Sequence, residues 1–132
     1  MNDIIIPILK INFSSKNPEK INNNTFKFFA EQDCDILPEA SNTINSGFYL
    51  RNVLFQIIPT DIYKNINCLA ESFISEDSLL SIKCYCYEEP INNKYTSSFA
   101  QKRRSIKKDT CIFYLSIVSS KYEENYILDI VD

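Results

Sequence analysis

The chain has 132 residues, 45% of them hydrophobic, with 8 Tyr, 9 Phe, no Trp, no His and a formal charge of −3. A chain of that length folds as one domain and buries roughly two thirds of the surface its unfolded form exposes, while the apolar fraction excludes a disordered tail. The acidic balance argues against a protein that coats nucleic acid with its whole surface, and the absence of histidine removes the commonest general base and a usual zinc ligand, which argues against an enzyme.

Residues 3–13 read as a strand that lies at an edge or is bulged, because Pro7 cannot donate a ladder hydrogen bond. A polar loop over 14–24 follows, and residues 25–30, around Phe26, Phe28 and Phe29, read as a short strand or a helical turn. Residues 31–46 read as a loop. Its acids Glu31, Asp33 and Asp35 alternate and would project together on an extended backbone, but a hard-cation site adds a turn-forming glycine and further oxygen ligands at fixed spacing, so these are read as solvated acids.

Residues 47–58 read as one central strand, apolar on both faces. Arg51 on that strand is either near its end, with its stem packed and its head in water, or paired. Pro59 stops the strand, and Thr60 and Asp61 stand where they would cap a short helical turn. Residues 75–78 are a turn, and 79–89 a strand with Leu80, Ile82, Cys84 and Cys86 on the core face and Ser81, Lys83, Tyr85 and Tyr87 on a partly wet one.

A long polar connection over 91–109 leads to the densest run of β-formers, 110–118, which a polar turn joins to a second apolar run, 126–131, in the pattern of a hairpin. The whole reads as mainly β, an antiparallel β-sandwich of about six to eight strands with at most one or two short helices, in a single β-rich domain spanning 1–132. A small barrel is the alternative.

Cys34, Cys68, Cys84, Cys86 and Cys111 lack the close second pair that marks a zinc ribbon, so they are read as core thiols and no metal is expected. With no secretory signal and no apolar segment long enough to span a bilayer, the expected compartment is the reducing cytoplasm, away from membranes. The segment 101–109 gathers Lys102, Arg103, Arg104, Lys107 and Lys108 into a local positive field. Arg forks suit phosphates, and Tyr95, Ser97, Ser98 and Phe99 just before it add hydroxyl and stacking contacts of the kind used on RNA, so these five basic residues are the candidate nucleic-acid-binding site.

The strand IKCYCYEE (82–89), the loop after it and DTCIFYLSIV (109–118), set in an Ile- and Asn-rich, acidic, His-free chain, resemble the microsporidian dormancy factors, and more distantly some small β-sandwich proteins of animals. The resemblance implies a non-enzymatic ribosome-associated dormancy (hibernation) factor that silences translation by occupying the E-site and mRNA-exit region of the small subunit. It implies rRNA and ribosomal proteins as partners, and neither cofactor nor small-molecule substrate. Two other readings stand beside it: a small cytoplasmic protein–protein interaction module, such as an assembly subunit or an immunity-type inhibitor, and a single-strand-binding barrel that stacks bases on Tyr85, Tyr87 and Phe99.

Overall fold

The structure, a computed structural model, describes residues 2–87, 104–118 and 124–132. Its first sheet holds β1 (Asn2–Lys10), β5 (Ser41–Leu50), β7 (Cys68–Ala70), β9 (Ser78–Cys86) and β12 (Glu124–Val131), in the order β12-β1-β5-β9-β7. The second holds β2 (Glu19–Lys20), β3 (Thr25–Phe29), β6 (Phe55–Pro59), β8 (Phe73–Ser75) and β11 (Cys111–Ile117), in the order β2-β3-β11-β6-β8. A separate ribbon pairs β4 (Cys34–Ile36) with β10 (Arg104–Ile106), and the single helix among the described residues is α1 (Ile62–Asn65). The expected mainly-β sandwich is therefore the fold.

One core joins the two sheets. Phe28 of β3 stacks on Phe113 of β11 with ring centroids 5.2 Å apart and meets Phe48 of β5, from the other sheet, edge-on at 5.8 Å. Strand alternation places these rings: Leu80, Ile82, Cys84 and Cys86 turn inward along β9, as their period of two requires.

Three sequence expectations fail, the first two because the chain changes sheet where the apolar pattern runs on. The segment 47–58 is two strands, since β5 ends at Leu50 and β6 begins at Phe55 in the opposite sheet. Both faces of the segment look apolar because two half-buried strands of different sheets follow one another in it. Asn52, at φ 62, makes the corner, and its N–H donates to Asp77 Oδ1 at 2.6 Å. Arg51 lies exposed beyond the end of β5 with its guanidinium 5.6 Å from the Tyr49 ring. The expected C-terminal hairpin is likewise divided: β11 pairs antiparallel with β3 and β6, whereas β12 crosses to the other sheet and pairs parallel with β1 from Asn2↔Glu124 to Leu9↔Val131. Segments 31–46 and 91–109, read as loops, contribute β4, the start of β5 and β10.

Pro7 shows how far the edge reading of the first strand was right. By order β1 is internal, but it meets β5 only at Leu9 and Lys10, so its first part runs past the end of β5 with β12 alone beside it. A missing N–H is tolerated there. The short helix forms where expected, although Asp61 makes no side-chain cap, and its buried Tyr63 donates from the hydroxyl to Ile112 O at 2.7 Å.

Candidate functional site

Lys102 and Arg103 of the predicted basic site, and Tyr95, Ser97, Ser98 and Phe99 before it, lie outside the described residues. Arg104, on β10, turns its guanidinium toward the end of β9, donating to Tyr87 O at 2.6 Å and to Cys86 Sγ. Lys108 donates from Nζ to Ser14 O at 2.6 Å and from its backbone N–H to Asp33 Oδ1 at 2.7 Å, and its ammonium lies 3.6 Å from Asp109. These two cations are committed to different neighbours within the molecule rather than gathered toward a common ligand. Lys107 is exposed.

The acids of the 31–35 segment are not gathered either. Glu31 accepts from Asn12 Nδ2 at 3.3 Å and Asp33 from Lys108, and with Asp35 they act on Cys34, whose thiol is pushed up first by burial and then by these three negative charges. Among the described residues no three His, Cys, Asp or Glu side chains converge as a metal site.

Burial dominates the other thiols too. Cys68 is pushed up to about 12, by burial first and then by its hydrogen bond to Cys86, and burial likewise raises Cys84 and Cys111. The consequence for stability is directional. An unfolded thiol releases its proton near its ordinary value of 9.0 while folded Cys68 keeps its own to about 12. In that window the unfolded state binds fewer protons, so the stability fully present below pH 9 is lost as pH rises through the folded value. The melting temperature is expected to fall steadily between pH 9 and 12; a thermal-melt series that stays flat across that window would contradict it.

The outer face of β9 carries a different kind of site. Tyr85 lies in register with Leu69 of β7 on one side and Ser41 of β5 on the other, and Lys83 and Ser81 follow along the same face. With the crossing residues Glu71 and Ser72, with Phe73 and Ser75 of β8, and with Ser78 and Leu79 where β9 begins, they line a groove of about 610 Å³. That volume is within the range of small-molecule sites, roughly 300–1,000 Å³. Its donors and acceptors are five serine hydroxyls, one ammonium and one carboxylate, and its apolar walls are aromatic and aliphatic. Tyr85 is steadied edge-on by Tyr87 at 5.5 Å.

Period two predicts a partly wet face bearing Ser81, Lys83, Tyr85 and Tyr87, and the first three of these form the groove's floor. What the sequence did not reveal is the other wall. It arises because the chain leaves β7 at the edge of one sheet and enters β8 at the edge of the other, a change of sheet with no local signature.

No protein-family model matches the chain, and no curated protein matches it by sequence. Solved structures match over most of its length, and the chain is similar in fold to several phage dUTPases. A dUTPase of Staphylococcus bacteriophage 80alpha with dUpNHpp aligns with a TM-score of 0.62 at 12% identity, covering 88% of each chain. The dUTPase of phage phi11 of S. aureus, described with a structural Mg(II) ion, aligns at 0.61 with 11% identity over 88% of this chain and 97% of that one. A further 80alpha dUTPase aligns at 0.60 with 13% identity over 84% and 87%.

These alignments overturn the resemblance to microsporidian dormancy factors. The ribosome, its rRNA and its proteins as partners, and silenced translation as the function, go with it, since composition and strand layout carried that resemblance and no motif did. The expectation of a non-enzyme without a small-molecule substrate fails on the same finding: the proteins of this fold include one described by its enzymatic activity and one holding a nucleotide analogue.

Proposed function

We propose that this chain is a nucleotide-binding protein of the dUTPase fold, and that the β9 groove takes a deoxyuridine nucleotide. The observation that carries the reading is the composition of that groove: a cation, five hydroxyls and an exposed aromatic ring around one space of about 610 Å³. In this assignment Lys83 neutralises phosphate as a mobile point charge, Tyr85 offers a stacking face to the base, and the serines donate to or accept from sugar and base edges. Leu69, Leu79 and Phe73 supply the apolar enclosure that small-molecule sites share. Glu71 disfavours a ligand that is anionic throughout and fits one with a neutral, hydrogen-bonding end. The likeness in fold to a dUTPase holding dUpNHpp supports this choice among nucleotides.

Titration calorimetry with dUpNHpp tests the reading. Lys83→Ala removes a charge-assisted contact worth about 1.5–3 kcal/mol, so binding is expected to weaken by roughly 10- to 150-fold. Tyr85→Ala removes a stacking contact worth about 1–3 kcal/mol and is expected to weaken it comparably. Heat signals absent at millimolar dUpNHpp, or binding that both variants leave intact, would reject the assignment. Release of pyrophosphate from dUTP by the parent protein would extend it from binding to hydrolysis.

A further inference from the structure

We infer that Cys68 and Cys86 form a reversible cross-strand disulfide that fastens edge strand β7 to β9. The two residues are direct partners in the β7–β9 register. Antiparallel partners alternate between hydrogen-bonded and non-hydrogen-bonded pairs, and the Cα atoms are closer in the second kind, about 4.5 Å. Tyr87 donates to Asn67 O at 3.1 Å, which makes the neighbouring pair the bonded one. Cys86 spends its own N–H on Ala40 O and accepts from Glu39 N at 2.8 Å, both on the β5 side. Cys68 and Cys86 therefore occupy a non-hydrogen-bonded pair, within the span a disulfide bridges, about 4.4–6.8 Å between Cα atoms.

The side chains agree with the backbone. Both are buried, and their sulfurs converge on one carbonyl oxygen, that of Ile66, at 3.5 Å from Cys68 Sγ and 3.9 Å from Cys86 Sγ. Cys84 competes poorly because its direct partner on β7 is Ala70, leaving it diagonal to Cys68, and diagonal neighbours sit about 7–8 Å apart, beyond a disulfide's span. Arg104 donates from its guanidinium to Cys86 Sγ.

Access comes from the fold. Strand β7 has three residues, lies at the end of its sheet and pairs only with β9, so it belongs to the part of the molecule that opens most readily. In the opened state Cys86, having given up its proton, attacks glutathione disulfide and expels one glutathione thiolate. Cys68 then attacks the protein sulfur of the mixed disulfide and expels the second. The protein loses two electrons and two protons, and one glutathione disulfide becomes two glutathione thiols. Leu69, next to Cys68, lines the groove, so the bond would also stiffen that wall; its formation does not depend on what the groove binds.

Reduced protein incubated with glutathione disulfide at pH 8, then digested without reduction and mapped by mass spectrometry, is expected to yield a Cys68–Cys86 peptide lighter by two hydrogens. The oxidised protein is expected to melt at a higher temperature, a shift that dithiothreitol reverses, and Cys84→Ser is expected to form the same bond. A digest with only free or glutathionylated cysteines, or one in which Cys84 replaces either partner, would overturn the inference. The mapping needs no variant, and its result is independent of any nucleotide measurement.

Discussion

Gly47→Ala is expected to destabilise the fold by roughly 2–5 kcal/mol, out of a total that for a domain of this size is about 5–15. Two costs combine. Gly47 has φ 84, a left-handed conformation that costs a residue with a Cβ about 1–2 kcal/mol. An added Cβ would also stand 2.0 Å from Ser15 Oγ and 3.1 Å from both Asn12 Cβ and Glu31 Oε2, and overpacking of this kind costs about 1–3 kcal/mol. The position is fixed from both sides: β5 bulges between Asn45 and Tyr49, and Gly47 O accepts from Ile11 N at 2.8 Å and Asn12 N at 3.3 Å. Ser15 separates the two costs. Its buried hydroxyl has no hydrogen-bond partner among the described residues, so Ser15→Ala alone is expected to be neutral or mildly stabilising. In the Gly47→Ala background it should recover the steric share and leave the backbone share. A Gly47→Ala protein whose urea midpoint matches the parent's would show that the bulge relaxes freely.

The one glycine in 132 residues illustrates how much of this fold the sequence held. In sequence it reads as the start of a strand, whereas it occupies a bulge within one, where a close neighbour and a positive φ coincide. Periodicity worked where a strand has one buried face: β9 alternates as read, and Cys84 and Cys86 are core residues. It failed where the chain changes sheets, because hydrophobic pattern records burial and not which sheet provides it. At 51–54 and again between β11 and β12 the apolar runs look continuous, yet their partners are in different layers. Parallel pairing of β1 with β12 joins strands at opposite ends of the sequence, and no local signal announces that.

The candidate site was legible by halves for a related reason. Charge counting drew attention to 101–109, the densest run of cations, but Arg104 and Lys108 are engaged by Cys86, Tyr87, Ser14 and Asp33, contacts that only tertiary structure creates. Lys83 and Tyr85 attracted less notice because a single lysine beside a tyrosine on a wet strand face is ordinary. They become a site when β8 and the crossing residues bring Phe73 and the serines opposite them. A bias toward Ile and Asn reports on coding and not on kinship.

Phe28→Ala is expected to be the most damaging core truncation, costing about 3–5 kcal/mol. Phe28 is fully buried, and its ring meets aromatic rings in both sheets: stacked at 5.2 Å on Phe113 in its own and edge-on at 5.8 Å to Phe48 in the other. Aromatic pairs of these geometries are worth about 0.5–1.5 kcal/mol beyond the area they bury, and alanine would forfeit both while leaving a cavity between layers that are too well braced by their strand ladders to close on it. Phe28→Leu keeps much of the volume and is expected to lose less. Phe13 provides the control, because it is 79% exposed and Phe13→Ala should stay within about 0.5 kcal/mol of the parent. Equilibrium urea unfolding reads all three, and the ordering is what matters: were Phe13→Ala to cost as much as Phe28→Ala, the layer contact through Phe28 would not be what holds the two sheets together.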